Sequence, residues 1–419
     1  MIKYINQPLV KNYASLLLVQ GGNFIFPLLV FPLIGRSIGV SEFGNILFCY
    51  MVGFYFSIFV DYGFNFSAVR TVSKMDNHSQ LGRTFYNITL AKLTLAAAAL
   101  FIIFMMTMFW AKLNQLSDYM LISSLLIIAS MLSPYWLLQG VGKMAAGAMI
   151  TLLSRLVTLA LFLILPITKN SAALLLAFPN LLASLVLLYW VFKRYHIGLP
   201  RCHPAEVAAN LKEGWPIFVA NSITMVYSAS NTILLGLISG PVVAGLYGAA
   251  ERLVRSGLAV MAPLCQAAYP IICRYNASEW IKRNKIIMLV LVCSLAFGAC
   301  SFIVLNFFSM QIITILFGEK FIAAAHILSL LSALLLIIPP AIVLAQLYLL
   351  ANSYDKQLQR IYVICSATHC CHIYFMIKYF GATGASYSLI ITEALATLLI
   401  IMVSVKILKR ESTRKTLQT

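Results

Sequence analysis

Apolar runs long enough to cross a bilayer follow one another along this chain. A spanning helix needs about 20 mostly apolar residues. Runs of that size cover residues 10–34, 43–68, 85–110, 118–138, 144–166, 171–192, 215–238, 244–272, 286–308, 321–350, 360–379 and 383–407. Hydrophobic residues make up 61% of the 419 and charged residues only 10%, where a soluble domain carries about 25% charged. A single water-soluble core stops growing near ~250–300 residues, so it could not take up this much apolar surface. The expectation is an all-α integral membrane protein with about twelve transmembrane helices. The first run is longer than a signal-peptide core of about 7–15 residues and has no clean small-residue cleavage site, so it is read as a retained span.

The net charge is +18, from 30 Lys and Arg against 12 Asp and Glu. In a soluble chain this balance would suggest a nucleic-acid binder. Here the basic residues sit mostly between apolar runs, so the membrane surface accounts for them and no nucleic-acid partner is expected. Alternating the loops puts 21 Lys and Arg on the side of Lys3 and Lys11, and only Arg36, Lys112, Lys169, Lys320 and Lys378 on the other. Short cytoplasmic loops carry the basic excess, which makes both termini cytoplasmic and favours an even number of spans. The longest connection, about 193–214, is basic and cytoplasmic, and no segment is large enough for an extramembrane domain. Most of the nine cysteines lie inside apolar runs, Cys49, Cys265 and Cys365 among them, and no spacing suggests a disulfide framework.

An internal repeat is visible. Gly35, Gly39 and Gly44 follow the first run, and Gly236, Gly240 and Gly245 follow the seventh, each 201 residues on. Leu33-Ile34-Gly35 is matched by Leu234-Leu235-Gly236. Glycine suits a tight interfacial turn because it tolerates positive φ. Two six-span halves of one orientation follow, as in parallel-repeat transporters, with lobes at 1–200 and 201–419. Prolines interrupt several runs: Pro27, Pro32, Pro134, Pro179, Pro263 and the pair Pro339-Pro340. Each removes a helix hydrogen bond. Such kinks line cavities or act as hinges in some membrane proteins and are plain packing features in others.

Ionisable residues inside spans cost about 2.5–3.5 kcal/mol each at a helix centre on insertion scales, so they should face a bundle interior or a wet cavity. Lys92 lies in the third run, where its stem could snorkel to the cytoplasmic surface. Arg155 sits near the middle of the fifth. The eighth carries Glu251, Arg252 and Arg255. Glu251 and Arg255 are at i, i+4 in the favoured order for an ion pair. Arg252 then points elsewhere, on a face shared with Gly248. Glu393, mid-way through the twelfth run, is either a proton carrier or a static partner for an arginine. Glu251 is a second proton-coupling candidate. Asp61, just before Tyr62-Gly63-Phe64, is a third, unless it only braces a turn. The deep charges are four basic and two acidic, and guanidinium groups grip phosphate in bidentate fashion. The cargo expected is therefore anionic, with Arg155, Arg252, Arg255 and Lys92 as its binding candidates.

Other motifs fail on spacing. Gly140-Val141-Gly142-Lys143 resembles a phosphate loop, but Met144 follows the lysine and no glycine lies five residues before Gly142. No nucleotide-binding domain is present, so a self-contained ATP-driven pump is excluded. His369-Cys370-Cys371-His372 has two histidines at i, i+3 but no further ligands nearby, so no metal is expected. His326 has an equally weak claim as a proton carrier. No Ser-His-Asp or paired-carboxylate arrangement suggests an enzyme, and no cofactor is expected.

The stretch from Asn12-Tyr13-Ala14-Ser15 through Gln20, Asn23, Pro27 and Pro32 to Gly35-Arg36-Ser37-Ile38-Gly39 and Phe43-Gly44 resembles the first span of bacterial polysaccharide flippases. Asp61-Tyr62-Gly63-Phe64-Asn65-Phe66-Ser67-Ala68-Val69-Arg70 resembles the end of their second span. Gly214-Trp215-Pro216, Asn221 and Gly245-Leu246-Tyr247-Gly248 are also similar. These are the O-antigen repeat-unit translocases (the Wzx group) of the multidrug/oligosaccharidyl-lipid/polysaccharide exporter superfamily. The resemblance implies two six-helix lobes around a central cavity, alternating access, and an undecaprenyl-pyrophosphate-linked oligosaccharide moved to the periplasmic leaflet of the inner membrane without catalytic chemistry. Membrane lipids, a glycan polymerase and a chain-length regulator are the partners to look for. A cation or drug antiporter of the same superfamily, which needs an acidic cavity, is the nearest alternative. A membrane glycan polymerase or acyltransferase, or a scaffold whose deep charges only pair helices, are others.

Overall fold

A computed structural model describes residues 25–73, 75, 78–164, 167–195, 204–273, 275, 279–352 and 354–416. The start of the first apolar run, residues 10–24, lies outside them. The described chain is helical wherever an apolar run was found. Helices α1 (Ile25–Ile38), α2 (Val40–Asp61), α3 (Phe64–Val72), α4 (His78–Phe109), α5 (Ala111–Asn114), α6 (Ser117–Leu132), α7 (Tyr135–Gly140), α8 (Met144–Ile164) and α9 (Lys169–Tyr195) cover the first six runs. Helices α10 (Pro204–Ile238), α11 (Pro241–Ala259), α12 (Met261–Cys273), α13 (Trp280–Phe307), α14 (Ser309–Phe317), α15 (Ala324–Ser332), α16 (Leu334–Val343) and α17 (Asp355–Thr416) cover the rest. Among the described residues eight helical stretches are long and apolar enough to cross a membrane.

Several runs are broken helices, and the breaks have local causes. Tyr62 adopts a left-handed conformation between α2 and α3. Pro134 caps α7 after α6 stops. Pro339 and Pro340 lie inside α16, which runs on through a π-helical segment, Leu344–Leu349. Proline leaves i−4 carbonyls without their helix donor, and wide turns of this kind absorb the mismatch.

Helix α17 is two helices in one. Gly381 has φ 55° and ψ −130°, outside any helix. Residues on either side of it meet: a Cβ on Gly384 would run into the Met376 carbonyl, and His369 bonds Thr392. The segment is an antiparallel helical hairpin with arms 355–380 and 382–416, as the eleventh and twelfth runs require.

The repeat persists in the backbone. Gly39 caps the start of α2 with φ 80° and ψ 173°, and Gly240 caps the start of α11 with φ 90° and ψ 173°. Element order repeats too. The broken pair α2–α3 corresponds to α11–α12, long α4 to α13, short α5 to α14, and α8–α9 to the two arms of α17.

By internal contacts the chain forms two compact units, residues 37–225 and residues 1–36 with 226–419. This division differs from the expected 1–200 and 201–419, and the reason lies in the opening helix of each repeat. In α1, Gly35 packs on Phe317 so closely that a Cβ would lie 2.8 Å from that ring. Arg36 donates to the carbonyls of Thr314 (3.2 Å) and Ile315 near the end of α14, a charged cap for that helix terminus. In the other unit the first part of α10 joins the N-terminal helices. Phe218 stacks on Tyr62 with ring centroids 4.8 Å apart, and Tyr55 donates to the Met225 carbonyl at 2.8 Å. Arg83 pairs with Glu206, which Asn87 also holds. Arg283, counted with the cytoplasmic loops, is buried near the start of α13, where it donates to Asn352 Oδ1 and faces the Tyr348 ring.

Candidate functional site

The seven candidates fall into two groups. In unit 37–225 stand Lys92, Asp61 and Arg155; in the other unit stand Glu251, Arg252, Arg255 and Glu393.

Lys92 does not snorkel. Its side chain is 2% exposed, and its ammonium donates to Asp61 Oδ1 at 2.8 Å and to the Ser130 carbonyl at 3.1 Å. That carbonyl is available because the residue four positions on is Pro134, which has no N–H to offer it. Ser130 in turn donates from its hydroxyl to the Ser57 carbonyl at 2.9 Å. Lys92 therefore ties α2, α4 and α6 together at the point where two of them break, and Asp61 has the bracing geometry. Arg155 is half-buried on α8, close enough to Tyr50 of α2 for the two to interact electrostatically.

On α11 the expected i, i+4 pair is formed. Arg255 makes a forked contact to Glu251 Oε1, at 2.8 Å from Nε and 2.7 Å from Nη2. Glu251 is buried, and its second oxygen accepts from the Thr232 hydroxyl at 3.1 Å. Glu393, on the second arm of α17, lies within electrostatic range of Arg255. Arg252 points away from this cluster and lies over the Phe31 ring of α1, 4.8 Å from its centroid. A guanidinium over an aromatic face gains from the ring quadrupole.

A buried polar network that motif reading missed adjoins this cluster. His369 on the first arm of α17 has no exposed surface. Its Nδ1 lies 2.9 Å from Thr392 Oγ1 and 3.4 Å from Ser388 Oγ, and its Nε2 lies 3.2 Å from Asn231 Oδ1. Asn231 Nδ2 donates to the Tyr247 hydroxyl at 3.0 Å. The two networks touch along the backbone, since Asn231 precedes Thr232 and Thr392 precedes Glu393. The sequence signal was a histidine and hydroxyl residues inside otherwise apolar runs, which a search for metal-ligand spacing discards. Among the described residues no three His, Cys, Asp or Glu side chains converge as a metal site would require.

Comparison with known proteins places the chain. Residues 9–276 match the family described as polysaccharide biosynthesis protein. A protein of Escherichia coli (strain K12), described as a candidate O-antigen transporter, is 29% identical over 400 residues, which is 94% of this chain and 95% of that one. A protein of Shigella dysenteriae with the same description is 26% identical over 391 residues, 93% of this chain and 98% of that one. Among solved structures, the lipid II flippase MurJ in an inward closed conformation matches with TM-score 0.74 at 14% identity, over 92% of this chain and 86% of that one. An inward-facing multidrug resistance MATE transporter of the MOP superfamily matches with TM-score 0.70 at 12% identity, over 94% and 96%. At such identities these two show the fold, that of an all-α membrane transporter. Because the matched family covers well over half of its length, the chain belongs to the polysaccharide biosynthesis protein family.

Proposed function

We propose that this protein is a flippase that carries an undecaprenyl-pyrophosphate-linked oligosaccharide, an O-antigen repeat unit, from the cytoplasmic to the periplasmic leaflet by alternating access. Its setting is the bacterial inner membrane, with both termini in the cytoplasm as the distribution of Lys and Arg requires. The family, the transporter descriptions of its near full-length relatives and the MurJ-like fold all support this reading.

The observation that carries it is Arg252. On α11 this guanidinium lies over Phe31, while its neighbour Arg255 makes the forked pairing to Glu251. Its fork suits a pyrophosphate, which accepts two parallel N–H bonds where a lysine would offer a point charge. Arg155 and Arg255 remain further candidates for the anionic cargo in our reading, and Glu393 and Glu251 candidates for proton coupling. Lys92 contributes positive potential while Asp61 holds it in place.

The test is complementation of a deletion strain. The wild-type gene restores surface glycan. Arg252→Ala leaves protein levels unchanged and lets lipid-linked repeat units accumulate unflipped, and Arg252→Lys recovers only part of the loss. Normal surface glycan in the alanine variant would remove Arg252 from the mechanism. A drug antiporter would show instead as altered drug resistance on overexpression.

A further inference from the structure

His369 is a titratable ring with no exposed surface, and the function proposed above does not yet use it. Its surroundings can serve it with or without a positive charge. The Thr392 hydroxyl donates to the Ser388 carbonyl at 2.8 Å, so its oxygen is left to accept from His369 Nδ1. The Asn231 amide donates through Nδ2 to Tyr247, which turns its carbonyl oxygen toward His369 Nε2. Nε2 thus faces an acceptor, while Nδ1 lies between the Thr392 oxygen and the Ser388 hydroxyl, 3.4 Å away. The imidazolium donates from Nδ1 to Thr392 and from Nε2 to Asn231. A neutral ring protonated on Nε2 keeps the Asn231 contact and accepts the Ser388 hydroxyl on Nδ1.

The same atoms can also serve the neutral ring protonated on Nδ1. If the Nε2 proton leaves to water, Nδ1–H stays on Thr392. A half-turn of the Asn231 amide then brings Nδ2–H to Nε2 and its oxygen to the Tyr247 hydroxyl, which now donates. Every donor still has an acceptor, and one proton has left the protein. The residues involved lie on α10, α11 and both arms of α17, so the change is registered by each helix that the network joins.

The charged and titratable groups around this ring are few. On its own arm is His372, with ring centroids 5.5 Å apart, its Nδ1 donating to the Thr368 carbonyl at 2.6 Å. On α11 are Tyr247 and, a turn further along, the Glu251–Arg255 pair. On the second arm Glu393 follows Thr392. Residues 226–238 of α10 and α16 carry no charged side chain, and His326 of α15 is exposed. Glu393, adjacent in sequence to Thr392, is the carboxylate next to the network that is not in the Glu251–Arg255 ion pair.

We infer that His369 is the residue that takes up and releases the proton coupled to transport, with Asn231 as its two-position partner. This deepens the flippase reading and rests on it. The test uses the full-length protein in liposomes containing lipid-linked oligosaccharide extracted from the deletion strain, with a pH gradient imposed and both leaflet transfer and internal pH followed. The expected result is gradient-driven transfer with proton uptake in the wild type, and a fall of about tenfold or more in both for His369→Gln, a loss on the scale of coupling between two sites. His326→Gln behaves as wild type. Because a folding defect in His369→Gln would give the same loss, the imidazole ¹⁵N spectrum of the wild type provides a second readout. One ring, assigned by its absence in the variant, should pass between doubly and singly protonated forms as pH changes.

Lipid transfer that ignores the gradient, at equal rates in wild type and His369→Gln, overturns the coupling role and leaves the flippase reading intact. A ring that keeps one protonation state throughout overturns the coupling role as well. Proton uptake with no lipid transfer by the wild type overturns the flippase reading and the coupling with it.

Discussion

Lys92 and Arg252 are both cations inside apolar runs, and their neighbours differ. Lys92 is enclosed by Asp61 and by a carbonyl that Pro134 leaves without its helix donor. Removing one member of such a pair leaves the other charge uncompensated, whereas replacing both by apolar groups of similar size is nearly neutral. Asp61→Ala should therefore destabilise the protein by about 3 kcal/mol, somewhat less if water reaches the vacated site, since Asp61 itself is 32% exposed. The double variant Asp61→Leu with Lys92→Met should recover most of this loss, as measured by thermal unfolding in detergent. That both residues lie in or beside apolar runs was legible, but not that they meet, because their partnership depends on two helix breaks distant in the chain. The i, i+4 pair of Glu251 and Arg255 was legible because both ends lie on one helix.

At the scale of elements the hydrophobic period carried most of the information. Every expected span within the described residues falls on helix, and the glycine between the last two is the reversal of a hairpin. What the period could not give was the interior breaks, which arise from single residues such as Tyr62 and Pro134. The repeat glycines allow a sharp test. Gly39 and Gly240 combine positive φ with extended ψ, a region essentially restricted to glycine, and neither has an atom within 4 Å of where a Cβ would stand. Substitution is therefore penalised by backbone strain alone, by about 1–3 kcal/mol. Gly39→Ala and Gly240→Ala should lower the melting temperature to similar extents. Asparagine should give no relief at either site, because it eases only the left-handed helical region.

For the whole molecule, the repeat separates what the two halves share from what only one has. Counting back 201 residues, Asn231 corresponds to Val30, Tyr247 to Ile46, Glu251 to Tyr50, Arg252 to Met51 and Arg255 to Phe54. On α10 and α11 the polar network thus occupies positions that their counterparts fill with apolar or aromatic side chains. Asn231→Leu with Tyr247→Phe, which removes the hydrogen bond between them at nearly constant volume, should still leave protein in the membrane, at a level reduced by the contact that His369 loses. Surface glycan should nonetheless be lost. Family and fold were legible from the sequence, through motifs near its start and the charge of its loops. The grouping of helices was not, because α1 buries Gly35 against Phe317 while the start of α10 stacks Phe218 on Tyr62. Each repeat has lent its opening helix to the other's core. A break in the polypeptide near residue 200 would therefore not release two self-sufficient pieces: each would lack a stave that its companion holds, and neither would be complete until they joined.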